Sequence, residues 1–234
     1  MVFFSYTSRK TLPLVIILLL FTGYTGFAQN KFGITPQINV DFKIGTAWKV
    51  NSKLENRFVL HQNPYEGTGS SSEYDNTGIE VLVARNKGRL KNLGAGYLVR
   101  RSDKDGSFIH RAMQQYSLGQ ELGSLQLAHR FRSDQTFEKK EAVQYRLRYR
   151  ISVEKPLNGL RVDPEEFYFK ANNEYVGILK DGEGNLEIKL LTALGYNQSE
   201  NNQIEMGLDY RAKNLIGSGM ENQLWLRMGW YHSF

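Results

Sequence analysis

No cysteine occurs among the 234 residues. Disulfides are therefore excluded, and so is a lipoprotein anchor, which is built on a cysteine at the cleavage site. Histidine is scarce: His61, His110, His129 and His232 stand far apart, a spacing that predicts neither a metal site nor a cofactor. Beyond Phe21 no apolar run approaches the roughly 20 residues that a membrane-spanning helix needs. Low-complexity tracts, linkers and a break into a second domain are also missing. The formal charge of +6 is spread along the chain without the basic patch of a nucleic-acid binder, so no nucleic-acid partner is expected.

What is present begins with a leader pattern. Arg9 and Lys10 precede an apolar run from Leu12 to Phe21, and Gly26-Phe27-Ala28 follows before Gln29. This is the basic, apolar and small-residue order of a secretory signal peptide. The run is short for the alternative, a permanent helical anchor. Residues 1–28 are expected to be cleaved between Ala28 and Gln29, leaving 29–234 as the mature domain. Loss of Arg9 and Lys10 from the 30 basic residues leaves 28 against 24 acidic ones, a net charge of +4.

The mature chain alternates. From Gln223 to Phe234 one set of positions reads Leu224, Leu226, Met228, Trp230, His232 and Phe234; the other reads Gln223, Trp225, Arg227, Gly229, Tyr231 and Ser233. Period two is the signature of a strand with one apolar and one mixed face. Val143 to Glu154 repeats it, with Val143, Tyr145, Leu147, Tyr149, Ile151 and Val153 on one face and Arg146, Arg148 and Arg150 on the other. A helix would smear those arginines around its circumference. Leu186–Tyr196, Gln203–Arg211 and Leu125–Arg132 behave alike. Asp181-Gly182-Glu183-Gly184 between such stretches signals a tight hairpin. It also mimics the start of a calcium loop, but Leu186 and Thr192 occupy the positions where that loop needs Gly and Glu.

About eleven strands can be counted, beginning near Gln37, Trp48, Ile79, Leu93, Phe108, Leu122, Val143, Phe167, Leu186, Gln203 and Gln223. Bacterial single-chain membrane barrels have even strand numbers. The pattern therefore predicts an all-β fold, a single closed antiparallel transmembrane β-barrel of about 10–12 strands, with twelve favoured. A soluble β-sandwich or lipocalin-like barrel also alternates. Against it stand the long even strands and the aromatics on the apolar faces, including Trp48, Tyr145, Tyr149, Phe167, Phe169 and Tyr210, which suit interface girdles. The longest clear loop is His61–Gly78. With the last strand ending in the periplasm, that loop, Ser133–Glu141 and Ala212–Met220 fall outside, and Lys155–Glu165 falls inside.

Several segments resemble a known family. His129-Arg130-Phe131-Arg132, Tyr145-Arg146-Leu147-Arg148-Tyr149-Arg150, Glu154-Lys155-Pro156-Leu157, Phe167 to Tyr175 with Asn173-Glu174, and the aromatic terminus together resemble the short Gram-negative outer-membrane β-barrel proteins known as domain of unknown function 2490. The first half is similar only through Trp48 and Leu54-Glu55-Asn56-Arg57. The resemblance implies a barrel in the outer membrane and assigns it no chemistry. The terminal strand also resembles those of outer-membrane barrels generally, whose last aromatic serves as a sorting signal. Phe234 and Trp230 are on this ground the expected assembly signal, with outer-membrane lipid and the barrel assembly machinery as partners. Oligomeric state has no signal in the sequence.

If the apolar faces meet lipid, Arg130, Arg132, Arg146, Arg148, Arg150, Lys170, Glu174, Glu187, Glu205, Asp209 and Arg227 share one lumen. They either plug it with ion pairs or line an anion-attracting pore. Eight strands are filled by side chains and about sixteen leave a channel. Ten to twelve favour a tied lumen, hence a structural or narrow-transport barrel. A small anion-leaning pore and an outer-membrane lipid hydrolase are the alternatives. His232-Ser233 fails as a catalytic pair, because adjacent strand residues point to opposite faces. No Gly-x-Ser-x-Gly arrangement appears, His110 and Ser107 fall in a weakly patterned stretch, and no catalytic residue is nominated.

Overall fold

The computed structural model describes residues 29–63, 73–88, 90–217 and 219–234. The leader through Ala28 and the centre of the His61–Gly78 loop lie outside the described residues. Eleven strands follow one another: β1 (Gln29–Ile44), β2 (Trp48–Asn63), β3 (Glu73–Asn86), β4 (Lys91–Ser102), β5 (Phe108–Leu122), β6 (Leu125–Glu138), β7 (Gln144–Pro156), β8 (Glu166–Lys180), β9 (Glu183–Ser199), β10 (Asn202–Lys213) and β11 (Glu221–Ser233). Each pairs with its chain neighbours, and β1 pairs with β11 to close the barrel.

The count matches the eleven stretches visible in the sequence rather than the twelve that the even-number rule favours. This has a topological consequence. In an up-and-down barrel with an odd number of strands, the first and last run in the same direction. The β1–β11 pair is accordingly parallel, while the other ten are antiparallel, so the barrel is mixed rather than wholly antiparallel.

Strands run from 12 to 17 residues, longer than the apolar stretches that announce them. Pairing continues past the apolar band because polar residues there still make ladder hydrogen bonds. Thus β6 extends to Glu138, inside the segment expected as the Ser133–Glu141 loop, and β2 runs to Asn63 and β3 starts at Glu73, both inside the segment expected as the His61–Gly78 loop. The hairpin at Asp181-Gly182 is a two-residue turn with φ of 54° and 81°. Positive φ at both positions is what a type I′ turn requires.

Period two sorts the side chains. Outward-facing residues include Ile38, Phe42, Ile79, Val81, Val83, Tyr97, Phe131, Tyr145, Leu147, Leu194, Met206, Leu208, Trp230 and Phe234, all exposed on the outer surface. This apolar belt is interrupted where Gln114, Ser133 and Gln135 hydrogen-bond one another. Inward-facing positions are mostly polar, with a small apolar cluster of Leu82, Leu98 and Met113 against the wall. β1, β3, β5, β7, β9 and β11 end on the side of Phe234; β2, β4, β6, β8 and β10 end on the side of Gln29.

The seam is fastened from both faces. Inside, Trp225 is the register partner of Gly33 and its ring lies where a Cβ on Gly33 would be. Lys31, Arg57 and Arg211 stand 5.9, 5.6 and 6.0 Å from the centre of the same ring. These are cation–π distances. With its carboxamide oxygen turned toward them, Gln37 of β1 accepts from Arg227 Nε and Nη2 at 2.9 and 2.8 Å and from the Tyr231 hydroxyl at 2.6 Å. Outside, Phe234 stacks on Phe42 at 5.0 Å between ring centres, and its amide donates to the Asp41 carbonyl at 2.8 Å.

Candidate functional site

The barrel encloses a cavity of about 810 Å³. Of the eleven inward charges expected from the sequence, ten line it, and Glu205 lies buried beside it under Lys170. Alternation alone places them there. Which charge meets which depends on register and on pairing across the lumen.

Glu174 of β8 accepts from Arg130 of β6 at 2.5 Å and from Arg148 of β7 at 2.7 Å. The other Arg148 nitrogen reaches Asp134 at 3.1 Å. Lys170 binds Glu205 at 2.5 Å, and the Tyr168 hydroxyl donates to the same oxygen at 3.0 Å. Asp209 takes both Nε and Nη2 of Arg211, and Lys189 sits 3.5 Å from Glu187. Arg132 donates to Gln115 and, across the lumen, to Glu80 at 3.2 Å.

A second group comes from the first half of the chain. Glu55 is shared by Lys53, Arg57 and Arg100 at 3.3, 2.8 and 3.6 Å. Lys53-Leu54-Glu55-Asn56-Arg57 carries the inward alternation that could have flagged it. Glu80 and Arg100 share their inward faces with Gly78, Leu82, Gly94, Gly96 and Leu98, and Arg111 and Asp134 sit on strands whose outer face mixes Gln114, Ser133 and Gln135 with apolar residues; both blur the pattern.

Acids do not match bases. Fifteen Lys and Arg residues line the cavity against seven Asp and Glu. Arg111 and Arg146 donate to Thr136 at 3.0 Å and Gln144 at 2.8 Å, both uncharged. Among the described residues Arg150 forms no ion pair, and the Nε groups of Arg100, Arg130, Arg148 and Arg150 lack a hydrogen-bond partner. The register makes this sharper: Arg130 stands opposite Arg150, and Arg132 opposite Arg148. Such like-charge pairs across neighbouring strands are unfavourable unless countered.

The histidines lie elsewhere. His110 and His129 face outward, with Nδ1 3.2 Å from the Tyr97 hydroxyl and 2.8 Å from that of Tyr149. His232 meets Asn202 at 2.8 Å. Ser107, unplaced by the sequence pattern, lies in the turn after β4 and donates to Asp105 at 2.9 Å. The hydrogen bonds of these groups tie none of His110, His129 and His232 to a serine. Among the described residues no group of three or more acidic or histidine side chains is arranged to hold a metal ion.

Fold and site together define a closed eleven-stranded β-barrel with a charged, predominantly basic lumen. The family model described as Protein of unknown function (DUF2490) matches residues 32–222, and the chain belongs to that family. No curated protein and no solved structure matches it.

Proposed function

We propose that the protein is an outer-membrane barrel, exported with cleavage after Ala28, whose lumen is a narrow passage for small anions. The outer face supports the membrane reading. Its shortest strands of 12 residues rise about 40 Å along their own axes, or about 30 Å along a barrel axis at 40° tilt, which exceeds an apolar band of about 25 Å. Aromatic groups near the strand ends, Trp48, Phe167, Trp230 and Phe234 at one end and Phe108 and Tyr145 at the other, suit the two interfaces.

The observation that carries the passage is the excess of fifteen bases around open space over nine acids, the seven that line it together with Asp134 and Glu205 behind them. A lumen tied shut would be expected to neutralise itself, because a buried charge without a partner is costly. Here ion pairs brace the wall while Arg111, Arg146 and Arg150 keep their charge facing the cavity. A lumen of one sign with low-dielectric walls attracts the opposite ion.

The test is reconstitution of the purified barrel in planar bilayers. A small, steady conductance with a reversal potential showing anion preference in a KCl gradient is expected. A sealed barrel, or one preferring cations, would refute the passage. Co-fractionation with soluble periplasmic proteins would refute the membrane location as well.

A further inference from the structure

The surplus charge is ordered along β7. Arg146, Arg148 and Arg150 all face the lumen, about 7 Å apart at each step. The middle one is clamped by two carboxylates, Asp134 and Glu174. Among the described residues the outer two form no ion pair. Arg146 lies toward the Gln144 end beside Arg111, which reaches the Thr136 hydroxyl that stands opposite Gln144. Arg150 lies toward the Pro156 end, opposite Arg130, and the acid beside it, Glu174, already serves Arg130 and Arg148.

We propose that Arg146 and Arg150 are two stations for a tetrahedral oxyanion of the phosphate class, separated by the neutralised Arg148. The proposal rests on the reading of the lumen as an anion path and names its cargo. Ten of the fifteen bases lining the cavity are arginines. A guanidinium presents a fixed fork of N–H donors that fits two oxygens of a phosphate or carboxylate, whereas a lysine is a point charge. At the Arg150 station Arg130 and Arg150 stand opposite one another, and the buried Nε of each is without a partner. An oxyanion in the cavity beside these two guanidiniums would offset the Arg130–Arg150 repulsion. Two weak sites in series also meet the requirement of conduction, that an ion enters readily and leaves readily.

The experiment uses the full barrel in detergent, with inorganic phosphate, glycerol 3-phosphate and, at matched ionic strength, chloride as probes. Each phosphate should raise the melting temperature more than chloride does and should bind saturably in calorimetry. Tighter binding of the ester assigns the stations to organic phosphates, and tighter binding of the free ion to inorganic phosphate. Arg150→Gln and Arg146→Gln break no ion pair among the described residues, so both should keep the heat-modifiable gel shift of a folded barrel and weaken phosphate binding at least tenfold. Equal stabilisation by chloride, or wild-type affinity in both folded variants, overturns the proposal. Binding needs no conductance: phosphate binding by a sealed barrel would sink the passage and keep the stations, and an anion current without phosphate binding would do the reverse.

Discussion

At the scale of single residues, neighbouring arginines on one strand have different jobs. Asp134 has a fully buried side chain and meets Arg148 at 3.1 Å, while its second oxygen has no partner. Arg148→Gln strands that carboxylate and removes one of Glu174's two partners. The expected cost is roughly 3–5 kcal/mol, the usual penalty for an orphaned buried charge. Thermal melts in detergent should show a clear drop for Arg148→Gln and almost none for Arg150→Gln. Equal melting of the two variants would mean that the ion pairs do not brace the wall. The faces of both arginines were legible from alternation, since Val143, Tyr145, Leu147 and Tyr149 interleave with them. Their difference was not, because it depends on Asp134 and Glu174 in other strands.

At the scale of elements, the parallel seam between β1 and β11 is the unusual joint. Gly33 is there because Trp225 fills the space of its side chain; a Cβ would also run into the Phe58 carbonyl. Gly33→Val should therefore block closure and abolish the heat-modifiable band. A variant that migrates like wild type would show that Trp225 can move aside. Phe234 poses a finer question, because it is both the terminal aromatic and the ring stacked on Phe42. Phe42→Ala removes the stack and keeps the terminal aromatic; Phe234→Asp loses both and places a charge on the outer face. If the terminus is a sorting signal, Phe42→Ala should reach the outer membrane at normal levels with a lower melting temperature, while Phe234→Asp should be depleted. Equal depletion in membrane fractions would assign the effect to seam closure instead.

At the scale of the whole molecule, the odd strand number puts Gln29 and Phe234 at opposite ends of the barrel. Because the chain has no cysteine, this closure can be tested cleanly. Ile34 and Leu226 are register partners across the seam on the outer face. Ile34→Cys combined with Leu226→Cys should form a disulfide under mild oxidation, whereas an antiparallel or twelve-stranded closure would not keep this parallel register. Orientation follows from the same topology. With Phe234 on the periplasmic side, a cysteine at Asp105 should be labelled on intact cells by a membrane-impermeant reagent, and one at Gly123 should not. The opposite pattern would invert the barrel in the membrane.

In the clearly alternating strands the facing of each side chain was legible in the sequence. Alternation is a property of one strand's backbone, so Leu224 and Trp230 outward and Arg227 inward could be read without knowing any neighbour. It also showed eleven stretches, and only an analogy with even-numbered barrels argued for a twelfth. Tertiary structure alone decided the closure and the pairing of charges. Closure brings Gly33 against Trp225 from opposite ends of the described chain, and Glu80 reaches Arg132 across the lumen at 3.2 Å. Such contacts depend on register and barrel curvature, which are summed over all strands and written in none of them. For the same reason the lack of an ion pair at Arg150 among the described residues depends on where acids of other strands, Asp134 and Glu174 first, are held.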